Sequence, residues 1–249
     1  MIFSLDKMTT LNSFDNIKFG KYWTQGVNLV SGCSYVNRAC KNCWSFQMIQ
    51  RFNSNSELIN KFMWNGKIII NQHFLKRLKK PNQIFAIWND LFHHDVPDHF
   101  IVDAFNTMAT SDSIFLVCTK RVRRLLDLEN QLNPTKNVIV GTTCFNTDDI
   151  SQLFNLLNVS MIKRFKFFIS FEPFVGTAFA KPEFHTNPEF AIVGHESGKN
   201  AELSILDNTH YLLNHLKSMS IPVFTKQLYI NNKLLKHGAL PTELKLLYE

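Results

Sequence analysis

Cys33, Cys40 and Cys43 lie together in the segment Gly32–Trp44, with six residues between the first two and two between the last two. Thiolates are soft ligands, so three of them converging favour zinc or an iron–sulfur cluster over magnesium or calcium. A structural zinc site closes with four protein ligands, whereas a cluster held by three cysteines leaves one iron open to a small molecule. No fourth cysteine or histidine lies near this loop, and the next histidine is His73. The competing reading is three inert buried thiols, since free cysteine packs as a small hydrophobe. Inert thiols have no reason to gather around a Cys-x-x-Cys pair.

Other residues carry chemistry at a distance from the loop. Lys120, Arg121, Arg123 and Arg124 open an expected helix, where cations oppose the helix dipole. An anionic ligand such as a phosphate or carboxylate would compensate them, and a solvated basic face is the alternative. Glu172 and Glu196 each end an apolar run, so each needs a cation or a ligand hydroxyl or amino group; Lys226 is the candidate ion partner. His93 and His94 could bind metal or shuttle protons, but loop packing is the preferred reading. Cys118 and Cys144 lie in or just after apolar runs and read as structural. The stretch Gly194-His195-Glu196-Ser197-Gly198 is not a nucleophile elbow, because its serine is not centred between the glycines. No Gly-rich phosphate loop or dinucleotide fingerprint follows any expected strand.

The elements that must position these residues alternate between two periods. Expected strands are Val27–Val30, Ile84–Trp88, Ile114–Cys118, Val138–Val140, Phe165–Phe171, Phe190–Val193 and Val223–Thr225. They are continuous apolar runs, as parallel strands covered on both faces require. Expected helices are Ser45–Phe52, Asp98–Ala109, Val122–Leu132, Asp148–Leu157 and Leu206–Met219, and a long loop, Pro173–Glu189, follows the fifth strand. The alternation predicts an α/β fold, a single-domain parallel (β/α) barrel, complete or partial and TIM-barrel-like, over 1–249. The cysteine loop occupies 32–44, and Asn65-Gly66 predicts a hairpin inserted near 62–71. Chemistry in such barrels sits at the carboxyl ends of the strands. Nearly every strand here ends in polar residues: Asn89-Asp90, Thr119-Lys120-Arg121, Thr143, Glu172, His195-Glu196-Ser197 and Lys226-Gln227.

Composition narrows the setting. Of 249 residues, 45% are hydrophobic, enough for a sizeable core and against disorder. No apolar run has the length of a membrane span, and Met1–Lys7 lacks the pattern of a signal peptide. Five cysteines, three of them clustered, do not form a disulfide framework, so a reducing cytoplasm is expected. The formal charge of +7 favours anionic partners such as nucleic acid or nucleotides. No protein partner is suggested.

Taken together, these residues resemble a family of phage and prophage proteins with a three-cysteine motif, of unassigned function and related to the radical S-adenosylmethionine enzymes. The similarity spans nearly the whole chain. It rests on Trp23-Thr24, Asn28, Gly32-Cys33-Ser34, Cys40-Lys41-Asn42-Cys43, Asn65-Gly66-Lys67, Asp90-Leu91-Phe92-His93 with Asp95-Val96-Pro97, and Thr119-Lys120-Arg121. Glu172-Pro173, Val193-Gly194, Glu196-Ser197-Gly198 and Lys226-Gln227 complete it. The resemblance implies a [4Fe–4S] cluster on Cys33, Cys40 and Cys43, with S-adenosylmethionine on the open iron. The cluster would donate one electron and cleave that ligand to methionine and a 5′-deoxyadenosyl radical. Asn89 and Asp90 are then candidates for the methionine amino group. Thr143 and Ser197 are candidate cofactor contacts, and Thr143, Glu172 and Glu196 candidates for the ribose or substrate. Glu172, Glu196 and Lys226 are the candidate catalytic residues. Lys120, Arg121, Arg123 and Arg124 would hold a nucleic acid or nucleotide. The reading from a different class is a non-catalytic, zinc-bearing nucleic-acid-binding protein.

Overall fold

The computed structural model describes residues 20–37, 40, 43, 45, 67–145, 164–174, 188–197 and 206–245. The expected helix after Ser45, the helix Asp148–Leu157, most of the loop Pro173–Glu189 and the Asn65-Gly66 turn lie outside them. Among the described residues the chain is mixed α/β, and no helix is long and apolar enough to cross a membrane. Chain contacts divide it into two compact units, residues 25–139 and residues 1–24 with 140–249.

In the unit 25–139, the expected first strand is broken in two. β1 is Gln25–Val27 and β2 is Val30–Ser31. β1 runs parallel to β4 (Ile84–Ile87), which runs parallel to β5 (Ile114–Cys118). β2 instead pairs antiparallel with β3 (Ile69–Ile70), the described arm of the expected hairpin. The break has a hydrogen-bonding cause. Asn71 donates its backbone N–H to Leu29 O and its side-chain amide to Asn28 O, drawing the chain off the first ladder. β4 is buried along its length, and Phe85 lies opposite Phe115 in β5 with the rings stacked at 5.1 Å. Such a pair contributes roughly 0.5–1.5 kcal/mol beyond its buried area. α1 (Asp98–Ala109) buries Phe100, Ile101, Ala104, Phe105 and Met108, the stripe of an amphipathic helix. α2 (Val122–Leu128) ends earlier than the expected Leu132, with a tighter turn from Glu129 N–H to Leu126 O.

The second unit continues the strand series. β6 (Val138–Thr143) begins at the boundary and is followed by β7 (Lys166–Phe171), β8 (Phe190–Gly194), α3 (Leu206–Ser218), β9 (Val223–Ile230) and β10 (Lys233–Lys236). β7 pairs parallel with β8, β8 with β9, and β9 antiparallel with β10. Within this unit the hydrogen-bonded order is β6-β7-β8-β9-β10. β9 runs five residues past its expected end because it forms a hairpin. Asn231 and Asn232 supply the two positive φ angles, 51° and 61°, that a two-residue turn matched to strand twist needs. Phe168 and Phe190 face each other across β7 and β8, stacked at 5.0 Å.

Gly141 makes room for that stack. A Cβ there would lie 2.3 Å from the Phe168 ring, which is 1% exposed and has nowhere to move. Gly141→Ala should therefore destabilise the fold by about 1–3 kcal/mol, as overpacked core sites do. Urea unfolding measures this; an unchanged midpoint would contradict the packing.

Candidate metal centre

The cysteine loop leaves β2 and is held from both sides by the turn after β4. Asn89 sits there with φ at 59°, a left-handed conformation that asparagine tolerates. Its side-chain amide donates to Val30 O at 2.7 Å, and its carbonyl accepts the Ser45 hydroxyl at 2.6 Å. One side chain thus ties the residues before Cys33 to those after Cys43. Within the loop, Cys40 N–H donates to Asn37 O and Cys43 N–H to Cys40 O, giving consecutive tight turns. Cys33 and Cys40 are buried and Cys43 is half-buried.

A charged network underlies the loop. Arg121, at the start of α2, donates through Nη1 to Asp90 Oδ2 at 2.7 Å. Through Nη2 it donates to Ser34 O at 3.0 Å and Ser34 Oγ at 2.8 Å. Nη1 also lies 3.7 Å from Cys33 Sγ. Asp90 Oδ1 accepts the Thr119 hydroxyl at 2.7 Å and the Phe92 N–H at 3.1 Å. Thr119 Oγ in turn accepts the Arg121 N–H at 2.9 Å. The carboxylate and guanidinium are mostly buried, with side chains 9% and 12% exposed. Burial and Asp90 push the Cys33 thiol up, while Arg121 opposes them. Burial works against the Lys120 ammonium, but Cys43, Cys118, Cys40 and Asp90 outweigh it and raise its pKa. Lys120 thus brings Cys118 into the electrostatic neighbourhood of Cys40 and Cys43, although the sequence gives Cys118 only a structural role.

These contacts redistribute the basic cluster. Arg121 is bound by Asp90 and Ser34, Arg123 is exposed and pairs with Asp127 at 3.5 Å, and Arg124 pairs with Asp98. The four cations start a helix of only seven residues and point to different partners. Asn89 and Asp90, candidates for contacting a ligand, already brace the loop.

His93, a candidate for metal binding or proton shuttling from its sequence, meets the loop through Ser34. It is fully buried, its Nε2 lies 2.8 Å from Ser34 Oγ, and its Nδ1 accepts the Asp95 N–H at 3.2 Å. Burial, with help from Arg121, lowers its pKa to about 4. His93, His94 and Asp95 bring potential ligand atoms within 4.8 Å of one another, but both His93 nitrogens are engaged.

In the other unit, Glu172 and Lys226 form the ion pair raised as an alternative from sequence, at 2.8 Å. The second Glu172 oxygen accepts the Ser170 hydroxyl at 3.4 Å. Gly194 lies against them, where a Cβ would come 3.1 Å from Glu172 Oε1. Glu196 and Thr143 are buried and Ser197 is exposed. His195 is buried, 2.7 Å from the Thr209 hydroxyl, and accepts the Tyr229 N–H; burial lowers its pKa to about 4.

Two outcomes follow. Arg121→Met strands the Asp90 carboxylate and should cost about 3–5 kcal/mol in urea unfolding; a loss under 1 kcal/mol would class the pair with surface bridges. The neutral histidines set a pH dependence. Between 6.5 and about 4 the unfolded chain takes up the protons that His93 and His195 refuse when folded. Stability is therefore retained above 6.5 and lost as pH falls, by up to ~1.4 kcal/mol per pH unit for each. His195→Gln should flatten this slope, and an unchanged slope would contradict it.

No curated protein and no solved structure matches the chain at a significant level. A family profile matches residues 20–242, and the chain therefore belongs to the family described as a protein of unknown function, DUF5131.

Proposed function

We propose that the chain is a radical S-adenosylmethionine-type enzyme that holds a [4Fe–4S] cluster on Cys33, Cys40 and Cys43, on a partial (β/α) barrel, in a reducing cytoplasm. The single observation that carries this reading is the set of three thiols on one loop, braced by a buried Arg121–Asp90–Ser34 network and faced by two cations. The donor set fits the group: soft sulfur ligands, with Lys120 and Arg121 placed to offset the charge that thiolates and cluster would carry. The Val36 N–H, 3.5 Å from Cys40 Sγ, adds a backbone donor to one ligand. When bound, such a cluster supplies one electron for reductive cleavage of a sulfonium ligand on its open iron. The chain's own residues fix the loop, through Asn89 and Arg121, and bury Cys33 and Cys40 away from water.

The resemblance to phage three-cysteine proteins and the net charge of +7 favour a nucleic acid or nucleotide as substrate. The exposed side chains Lys76, Arg77, Lys79 and Lys80, on and after a 3₁₀ segment at Gln72–Lys79, add local support for an anionic partner. The zinc reading requires a fourth ligand. His93, which reaches the loop through Ser34, has both ring nitrogens in hydrogen bonds and is a poor one.

Anaerobic reconstitution tests the reading. Wild-type protein should carry about four iron and four sulfide per chain and release 5′-deoxyadenosine from S-adenosylmethionine under reducing conditions. Cys33→Ala, Cys40→Ala and Cys43→Ala should each lose iron, while Cys144→Ala keeps it. One zinc per chain without iron would contradict it.

A further inference from the structure

Ser34 follows Cys33 directly, and its hydroxyl has an unusual set of partners. Its oxygen receives Arg121 Nη2–H at 2.8 Å and lies 2.8 Å from His93 Nε2. Because the Asp95 N–H donates to His93 Nδ1, that nitrogen is bare, and the proton of the neutral ring sits on Nε2. His93 is therefore the second donor to Ser34. A hydroxyl oxygen has two lone pairs, and here both are filled. The Ser34 proton is left in the fourth tetrahedral direction, and no described residue accepts it.

The geometry points to Ser34 as a hydrogen-bond donor to a sulfur of the cluster bound through Cys33, with His93 and Arg121 as the residues that aim the hydroxyl. This rests on the cluster reading given above. Reduction adds negative charge to the cluster, and a donor to its sulfur stabilises the reduced form more than the oxidised one. Ser34 therefore raises the reduction potential. Arg121 acts through charge at the same site, but His93 is neutral and acts only by directing the hydroxyl.

The test is a redox titration of anaerobically reconstituted protein, followed by electron paramagnetic resonance. Ser34→Ala should retain iron and sulfide and disfavour reduction by about three- to tenfold, tenfold being ~59 mV for one electron. Ser34→Thr keeps the hydroxyl and should restore the wild-type potential. A loaded Ser34→Ala protein with the wild-type potential overturns the hydrogen bond while leaving the cluster reading intact. Should Ser34→Ala fail to hold iron, His93→Leu takes its place. It frees one Ser34 lone pair, lets the hydroxyl rotate and must also lower the potential; an unchanged potential overturns the inference. Wild-type protein that binds no iron and sulfide overturns the cluster reading and this inference together.

Discussion

The arrangement of the cysteine loop depends on the buried ion pair between Arg121 and Asp90. One partner stands at the turn after β5 and the other at the turn after β4, so the pair locks two neighbouring strand ends. Arg121 then extends its remaining donors to Ser34 and Cys33, importing that rigidity into a loop with little regular structure of its own. A buried ion pair is weak evidence for stability, since desolvation offsets most of its attraction. Its value here lies in specification. The planar fork of arginine fixes Asp90, the Ser34 carbonyl and the Ser34 hydroxyl in one geometry that a lysine could not reproduce.

Removing charge from solvent also shapes how the site responds to electrons and protons. Arg121 works against the burial that pushes the Cys33 thiol up, and the thiols hold the Lys120 ammonium charged despite its own burial. The neutral His93 contributes direction without charge, which separates orientation of the Ser34 hydroxyl from the electrostatic bias set by Arg121. In the other unit the same principle appears in simpler form. Glu172 is matched by Lys226 beside a glycine, and no Cβ stands between the carboxylate and the neighbouring strand.

What the sequence reveals follows from how local each signal is. α1 matches its expected bounds and β5 its expected run because periodicity and chain punctuation act within a few residues. The broken first strand was not legible, since Asn71 draws it away from more than forty positions along the chain. The β9–β10 hairpin was legible in principle: Asn231-Asn232 is a turn pair, but the alternating Lys226–Ile230 lacks the continuous apolar run by which the other strands were recognised. The three cysteines stand out from spacing alone. Their supports do not, because Ser34, Asp90, His93 and Arg121 meet across sequence separations of 31 to 87 residues. The partners of the basic cluster are hidden for the same reason, as adjacent cations have them in different places.

The central claim, that three thiols hold a four-iron cluster with one iron left open, is tested most directly by Mössbauer spectroscopy of ⁵⁷Fe-loaded protein. Adding S-adenosylmethionine should leave three iron sites unchanged and shift the fourth to a higher-coordinate signature. A mononuclear iron spectrum, or four sites indifferent to the ligand, would contradict it.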